Sequence, residues 1–562
     1  MKKSIAMISI CALIASVLAG CGETTKISSG AASEEASGSD SSQSGLSTSI
    51  DSTDDLNDEE GINHLSVINM PKYDSISTKD DTCSVYERYD ELSLGEEDKE
   101  KYPELSSSIE ELNSKMKDTS SASGDYVAQE LQDCIDNGYQ LMSDGNGYYA
   151  YYDTNVMRAD ENAVSLYSVI ETYANWNHPS YEVVTNTYDT ATGKELLLSD
   201  VVNDTSVLPE LLQKLLLEKY DKDSFIVDNL EETIKDMMAE GTTPSDDTDY
   251  VTGESLEGTK TRGLSFVLGN NSLTIAFSPI TIASSASGIQ YVTLYFDEYP
   301  SLVKEKYMKA ADDYVTPLVY DGEVYETTGE NGTQVSPFSI SSTIKDEDEG
   351  GPYETEFTLT IGDNSRTDTF YSYNMEYYYA FDNGRNFLYL VTHEESDYSA
   401  MYVYNLDAGD ISNASNEPGQ ISLCPSDYCL IDPENMKLAT RYDILGTYFG
   451  DMNYHIDTNG YPVTDDKAAI INWYDGMYVE LLKDKSFKVC DTAGDGTNED
   501  WYDEEIPKGT KLNLYRTDGS TFVDLKMDDG RIVRVDTVKK DYVVTIDGEA
   551  EEDVFDNIRY AG

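Results

Sequence analysis

Forty-four tyrosines, against 13 phenylalanines and three tryptophans, set the terms on which this chain of 562 residues can fold. Tyrosine has an apolar face and a polar tip, and it is a good strand residue on a half-exposed sheet. The clusters Tyr148-Tyr149, Tyr151-Tyr152 and Tyr377-Tyr378-Tyr379 therefore read either as sheet residues or as contact residues for glycan and protein partners. An apolar content of 39% is enough for real cores, and the length implies two to four domains.

The amino-terminal end limits where folding can begin. Lys2-Lys3 precede an apolar run from Ile5 to Val17, followed by Leu18-Ala19-Gly20-Cys21. A basic start, a short apolar core and small residues before a cut read as a secretory signal. The core is too short to read as a membrane-spanning helix. A cysteine directly after Leu-Ala-Gly resembles the lipobox of bacterial lipoproteins. The resemblance implies a signal peptide over 1–20, cleavage before Cys21, and lipid on its thiol and new amino terminus. It also implies a place on the outer face of the cytoplasmic membrane, with Gram-positive bacteria favoured by the tether that follows. Residues 21–63 are rich in Ser, Gly, Thr, Asp and Glu, and cannot bury enough apolar surface to fold. They read as a flexible tether with an average span of roughly 35 Å.

The formal charge is −68, from 39 basic and 107 acidic residues. Nucleic acid and anionic lipid surfaces are repelled by such a chain, so membrane contact is expected through the lipid alone. A cationic partner is favoured, and plain solubility is the alternative reading. With Cys11 lost in the signal and Cys21 lipidated, five cysteines remain: Cys83, Cys134, Cys424, Cys429 and Cys490. The odd number argues against a fully paired framework. Cys424 and Cys429 are near enough for a loop disulfide and equally compatible with free thiols. His64, His178, His393 and His455 lie far apart, and no CxxC occurs, so a His/Cys metal site is unsupported.

Folded chain is expected from His64. Pro103 opens a helix with Leu105, Ile109, Leu112 and Met116 on one face. A second helix carries Val127, Leu131 and Cys134, with Cys134 as a buried small hydrophobe, and ends before Gly138. Strands are expected at Tyr148 to Asp153, Val164 to Tyr173 and Tyr181 to Tyr188, with a turn at Asp189 to Gly193. Helices follow at Val207 to Tyr220 and Asn229 to Met238. Strands at Leu264 to Val267, Leu273 to Phe277 and Tyr291 to Phe296 precede a helix from about Pro300 to Met308. Residues 64–308 thus read as an α+β domain, an antiparallel sheet with helices. Residues 309–476 read as a β-rich region, propeller-like or a sandwich, with strands such as Phe357 to Ile361, Phe387 to Val391, Met401 to Asn405 and Tyr442 to Phe449. Residues 477–562 read as a small β-barrel of five strands.

The stretch Asp189-Thr190-Ala191-Thr192-Gly193-Lys194-Glu195-Leu196, then Leu198-Ser199-Asp200, is followed later by Phe277-Ser278-Pro279-Ile280, Ala283 and Ala286-Ser287-Gly288. This pattern resembles the extracytoplasmic domain of unknown function in RsiV-type anti-sigma factors and PdaC-type peptidoglycan deacetylases. It covers residues 64–308. Where that family has a Gly-rich stretch with His, this chain has Asn175-Trp176-Asn177-His178-Pro179, retaining only His178. The resemblance implies envelope work, since RsiV-type domains capture lysozyme and PdaC-type domains sit beside peptidoglycan chemistry. An anti-sigma role would need a spanning helix and a cytosolic domain, and is not expected.

Asp491, Asp495, Asn498 and Asp500 form a candidate calcium loop. Asp491 and Asp495 fall at positions 1 and 5 with Gly496 at 6, whereas Ala493 and Tyr502 fall at ligand positions 3 and 12. The alternative is an acidic solvated turn. Trp176, His178 and Tyr181 form a candidate contact site for sugar or protein, or a loop ordered by its aromatic neighbours. No GxSxG, HExxH, SxxK or P-loop pattern stands in a credible context, and no carboxylate pair stands out. The chain therefore reads as non-catalytic, without a required cofactor and with calcium as the one candidate. The expected partner is cell-wall glycan or an envelope protein. A cationic protein such as lysozyme and an unrecognised cell-wall enzyme are the alternatives.

Overall fold

The computed structural model describes residues 61–79, 83–141, 147–174, 179–238, 263–320, 323–329, 334–346, 352–394, 398–471, 478–492, 494, 500–540 and 543–561. The expected signal, Cys21 and nearly all of the tether lie outside these residues. So do Trp176, His178, Asp495 and Asn498.

An antiparallel ribbon of β1 (Val67–Ser77) and β2 (Ser84–Leu94) leads through α1 (Glu96–Lys101) and α2 (Pro103–Asp136) to β3 (Tyr148–Ala159). The crossover makes β2 and β3 parallel, while β4 (Ala163–Tyr173) and β5 (Ser180–Asp189) complete a five-stranded sheet in antiparallel order. Pro103 suits the first helical turn, where its missing N–H has no intrahelical partner. The two helices expected here are one helix of 34 residues. Ser120, Ser123 and Gly124 interrupt the apolar pattern but continue the buried stripe from Leu105 to Leu131. Ser120 Oγ donates to the Arg88 carbonyl at 3.2 Å. A Cβ on Gly124 would lie 2.0 Å from Glu87 Oε1, so the helix needs a side chain of one hydrogen there. Cys134 is only half-buried, because the stripe has rotated past it to Gln132.

The turn at Asp189 to Gly193 forms as expected, with Gly193 N donating to the Asp189 carbonyl at 2.8 Å. Gly193 is required twice over: its φ is +64°, and a Cβ would meet the Glu104 carbonyl oxygen at 2.4 Å. Beyond it come α3 (Leu198–Val201), α4 (Leu208–Lys219) and α5 (Leu230–Met238), then β6 (Ser265–Leu268), β7 (Ser272–Phe277) and β8 (Gln290–Tyr295). Leu212, Leu216 and Ile234 of the helices share a core with Phe266, Leu268, Ile275 and Leu294. The opposite face of this small sheet sets Val267, Ala276 and Tyr291 against Met157, Tyr167 and Val183 of the large one. Of the helix expected at Pro300 to Met308, only α6 (Glu305–Met308) forms. Val303 is held extended by a bridge to Val202. Arg158, 1% exposed, ties these layers together: it pairs with Asp160 at 2.7 Å and donates to the carbonyls of Tyr307 and Lys309.

The described remainder of the chain is nearly all β, with a single short α-helix, α7 (Glu551–Val554). A four-stranded sheet of β10 (Val324–Thr328) to β13 (Asn364–Ser372), with β11 (Gln334–Asp346) and β12 (Tyr353–Ile361) between, stacks on a five-stranded one. The latter holds β9 (Tyr314–Pro317), β14 (Asn374–Asp382), β15 (Arg385–His393), β16 (Ser399–Asn405) and β17 (Gly419–Ile421). Phe338, Phe357 and Leu359 meet Tyr379, Leu388 and Leu390 in the core between them. The reverse face of β14 and β15, with Ala380, Tyr389 and Val391, packs on β18 (Cys424–Pro425), β19 (Met436–Asp443) and β20 (Thr447–Ile456). The strands therefore stack face to face. The strand expected at Tyr442 to Phe449 is instead a tight hairpin. Ile444 and Leu445 turn into the neighbouring core, and Gly446 takes a φ of +119°.

The small barrel expected at the carboxyl end does not close. Its strands extend a twelve-stranded sheet that runs from β18 to β20, with β21 (Pro462–Val463) beside β20. It continues through β22 (Ala469–Ile470) to β26 (Lys511–Thr517), which also pairs β23 (Tyr478–Leu481). From there it passes β27 (Phe522–Lys526), β28 (Ile532–Asp536) and β24 (Lys485–Cys490) to β25 (Tyr502–Ile506). Strands on both sides of residue 476 share this sheet. Its last strand, β25, turns Asp503 and Glu505 outward and among the described residues pairs with β24 alone, leaving an acidic edge that discourages closure.

The two halves meet along β1. Asn69 N donates to the Asp427 carbonyl at 2.7 Å, and Cys429 N to the Val67 carbonyl at 2.9 Å. Residues 67 and 69 thus direct their backbone groups outward, and by strand parity so does 71. That position is Pro71, which has no N–H to offer, and the pairing stops there. Cys424 and Cys429 remain thiols, Cys424 in the core between sheets and Cys429 under the large sheet. Among the described residues no helix is long and apolar enough to cross a membrane.

Candidate functional site

The side of the large sheet away from α2 carries a face of tyrosines. Strand pairing creates it: Ser75 lies opposite Tyr86, Tyr86 beside Tyr149, Tyr149 beside Tyr173, and Glu171 beside Tyr181. Opposed residues share one face of a sheet, so these side chains project together. Tyr149 and Tyr151 stack with ring centroids 4.5 Å apart, and Tyr149 and Tyr173 are 5.9 Å apart. Tyr149 OH donates to Glu171 Oε1 at 2.7 Å. At the rim Tyr73 and Tyr86 are about half exposed, at 48% and 52%.

Arg88 anchors the inner end of the face. Its Nε lies 3.2 Å from Asp153, and its Nη2 lies 3.8 Å from Asp90. Burial pushes the Asp90 carboxyl up to about 6, against the pull of Arg88 and with the charge of Asp153 adding to the rise. Asp153 is raised by burial too, with Arg88 opposing. Burial pushes the Tyr151 phenol up to about 12; Arg88 works against this, and Asp153, Glu171 and Tyr73 work with it. Burial and then Glu171 raise Tyr181. At neutral pH these phenols are protonated donors on flat rings. Such a face can stack a sugar or an aliphatic chain, hold a cation over a ring, and donate hydrogen bonds.

Of the sequence candidates, Tyr181 belongs to this face, half-buried near the start of β5. Asp491 and Asp500 are exposed, and the Tyr502 hydroxyl donates to Asp491 Oδ1 at 2.8 Å. The ring that falls at the twelfth loop position thus brings a proton to the carboxylate. Among the described residues no three His, Cys, Asp or Glu side chains gather as a metal cluster. A shallow cavity of about 270 Å³ between α4 and β8 is lined by Leu215, Glu218, Lys219, Val292, Thr293 and Glu323, and Lys219 pairs with Glu323. Sequence reasoning missed Tyr73, Tyr86 and Arg88. The available signal was the alternation of Tyr86, Arg88 and Asp90 along β2, which the high charge of that segment obscured.

No protein-family description matches the chain, and no curated protein matches it. Among solved structures it is similar to a member of the DUF3298 family from Bacteroides fragilis, at 12% identity and a TM-score of 0.28, covering 43% of this chain and 94% of that one. A DUF3298 family protein from Pseudomonas aeruginosa is similar at 14% identity and a TM-score of 0.27, covering 44% of this chain and 98% of that one.

Proposed function

We propose that this protein is an extracytoplasmic lipoprotein, held by lipid on Cys21 at the outer face of the cytoplasmic membrane, with a binding role at the cell envelope. The tyrosine face carries the reading through its half-exposed rim of Tyr73 and Tyr86, backed by the buried Tyr149 and the half-buried Tyr151 and Tyr181, because stacked rings with donor tips suit cell-wall glycan or an envelope protein. Purified peptidoglycan at moderate salt should retain the mature chain, and Tyr73→Ala with Tyr86→Ala should cut retention severalfold. Absence of retention by the unaltered chain counts against the glycan partner.

Capture of a cationic protein such as lysozyme is the second reading, favoured by the charge distribution. Many of the scarce basic side chains face carboxylates of the same molecule, as Lys101 does Glu161, Arg366 does Asp368 and Lys485 does Asp547. The surplus acid is left for the surface. Calorimetric titration at ~0.15 M salt, where screening acts over about 8 Å, separates a defined site from bulk attraction. A site gives saturable heat; loose attraction fades as salt rises.

A further inference from the structure

A second constellation lies in the all-β half, on adjacent strands β14, β15 and β16. His393 and Ser399 are direct cross-strand partners, and Glu376 lies diagonally across the next strand on the same face. His393 Nδ1 is 3.1 Å from Ser399 Oγ, and His393 Nε2 is 3.0 Å from Glu376 Oε1. The other carboxylate oxygen accepts from Tyr378 OH at 2.6 Å.

The chemistry fixes the tautomer. Burial favours neutral Glu376, but the His393 hydrogen bond and charge, the Tyr378 hydroxyl and the charge of Arg88 outweigh it and lower its pKa. An ionised carboxylate only accepts hydrogen bonds, so Nε2 carries the ring proton. The lone pair is then on Nδ1, facing the Ser399 hydroxyl. Burial disfavours charge on His393, yet the bond to Glu376 prevails and raises its pKa above the ordinary 6.5. His393 and Ser399 are half-buried, beside the exposed Tyr398. Cys424, 5% exposed, lies beneath them within hydrogen-bond reach of Ser399; burial pushes its thiol up to about 12 against that bond, so it does not compete as a nucleophile.

We propose that Ser399 is an activated nucleophile for acyl transfer, with His393 as its base and Glu376 as the positioning residue. A nucleophile hydrogen-bonded to a base, and that base to an orienting acid, is the arrangement such chemistry requires. Ser399 Oγ bonds to the carbonyl carbon of an ester or amide while its proton passes to Nδ1. The bond to the leaving oxygen or nitrogen breaks, and that atom takes the proton. Water, activated by the same nitrogen, then releases the acid and restores Ser399. This site adjoins the tyrosine face through Arg88, whose charge reaches Glu376, but the reactivity of Ser399 stands or falls independently of the binding role.

The test uses a fluorophosphonate on the purified full-length chain. Ser399 Oγ displaces fluoride at phosphorus, and mass spectrometry locates the adduct. An adduct on Ser399 is expected, with a rate that rises with pH through the His393 titration. Ser399→Ala should abolish it, and His393→Gln should slow it about 100-fold or more. Glu376→Gln should move the pH profile to lower values. No adduct on Ser399 in a chain whose circular dichroism shows it folded overturns the proposal. So does an adduct that forms equally fast in His393→Gln and at every pH, which would mark an ordinary surface serine.

Discussion

In the N-terminal sheet buried carboxylates outnumber their partners: Asp90 and Asp153 share the guanidinium of Arg88, and Glu87 Oε1 finds no hydrogen-bond partner among the described residues. In the C-terminal sheet the proportion is reversed. One carboxylate, Asp524, is held by Arg516 at 2.7 Å and by Arg534 at 2.8 Å, and Arg534 also lies over the Phe522 and Trp501 rings. Buried charge is costly unless paired and hydrogen-bonded. The first arrangement answers that cost by holding protons, the second by pairing. The same acidic chain therefore contains one region whose buried carboxyls are raised toward neutrality and one whose buried carboxylate is held between two arginines.

The sharpest way to break this comparison is to remove the paired carboxylate. Asp524→Ala leaves the buried guanidinium of Arg516 and the partly buried one of Arg534 without their shared carboxylate, and should cost roughly 3–5 kcal/mol. Urea unfolding followed by fluorescence reads the loss; a cost under about 1 kcal/mol would show that solvent already compensates the arginines.

A smaller effect is expected where Glu87 meets the helix. Alanine is better than glycine inside a helix by about 1 kcal/mol, so a surface position would gain. Gly124→Ala should instead lose about 1–3 kcal/mol, because the new Cβ must displace Glu87. Equal or higher stability would mean that the carboxyl swings aside freely.

The smallest effect is electrostatic and has a definite sign. Burial, then the charges of Asp74 and Asp125, push Glu87 from its ordinary 4.5 up to about 7. A carboxyl whose folded pKa is raised favours the folded state in its protonated form. That contribution is complete below about 4.5 and is lost as pH climbs to about 7. Glu87→Gln carries no ionisable proton, so it should flatten this decline and gain about 1–2 kcal/mol over the parent near pH 8. Parallel unfolding profiles for the two proteins from acid to neutral pH would refute the assignment.

Much of this architecture was legible where local chemistry and packing agree. Pro103 and the spacing of Leu105, Ile109, Leu112 and Met116 announced α2, and Asp189 to Gly193 announced its turn. The reading failed where packing overrides the local pattern. Ser120, Ser123 and Gly124 look like a helix break because what they pack against lies in β2, distant in sequence. Ile444 and Leu445 look like strand because their core belongs to another part of the chain. β1 and β2 escaped notice because Lys72, Asp74, Glu87, Arg88 and Asp90 mask their alternation. The barrel failed for a different reason: five good strands do not specify closure, which depends on pairing between the first and last. Of the tyrosine face, Tyr149, Tyr151 and Tyr181 were visible as tyrosines, but only parallel pairing with β2 brings Tyr86 alongside them. His393, Ser399 and Glu376 could not be connected without the register of three strands.

Pro71 gives the outer edge of β1 a built-in sense of self. The first outward positions recognise a segment of their own chain, residues 427–429, at a fixed register. One step further the backbone loses the donor that any intruding strand would need. A neighbouring copy arriving at that edge finds the compatible part already occupied and the next position mute. A strand that would continue the pairing from residues 67–69 in register is therefore interrupted at its next step.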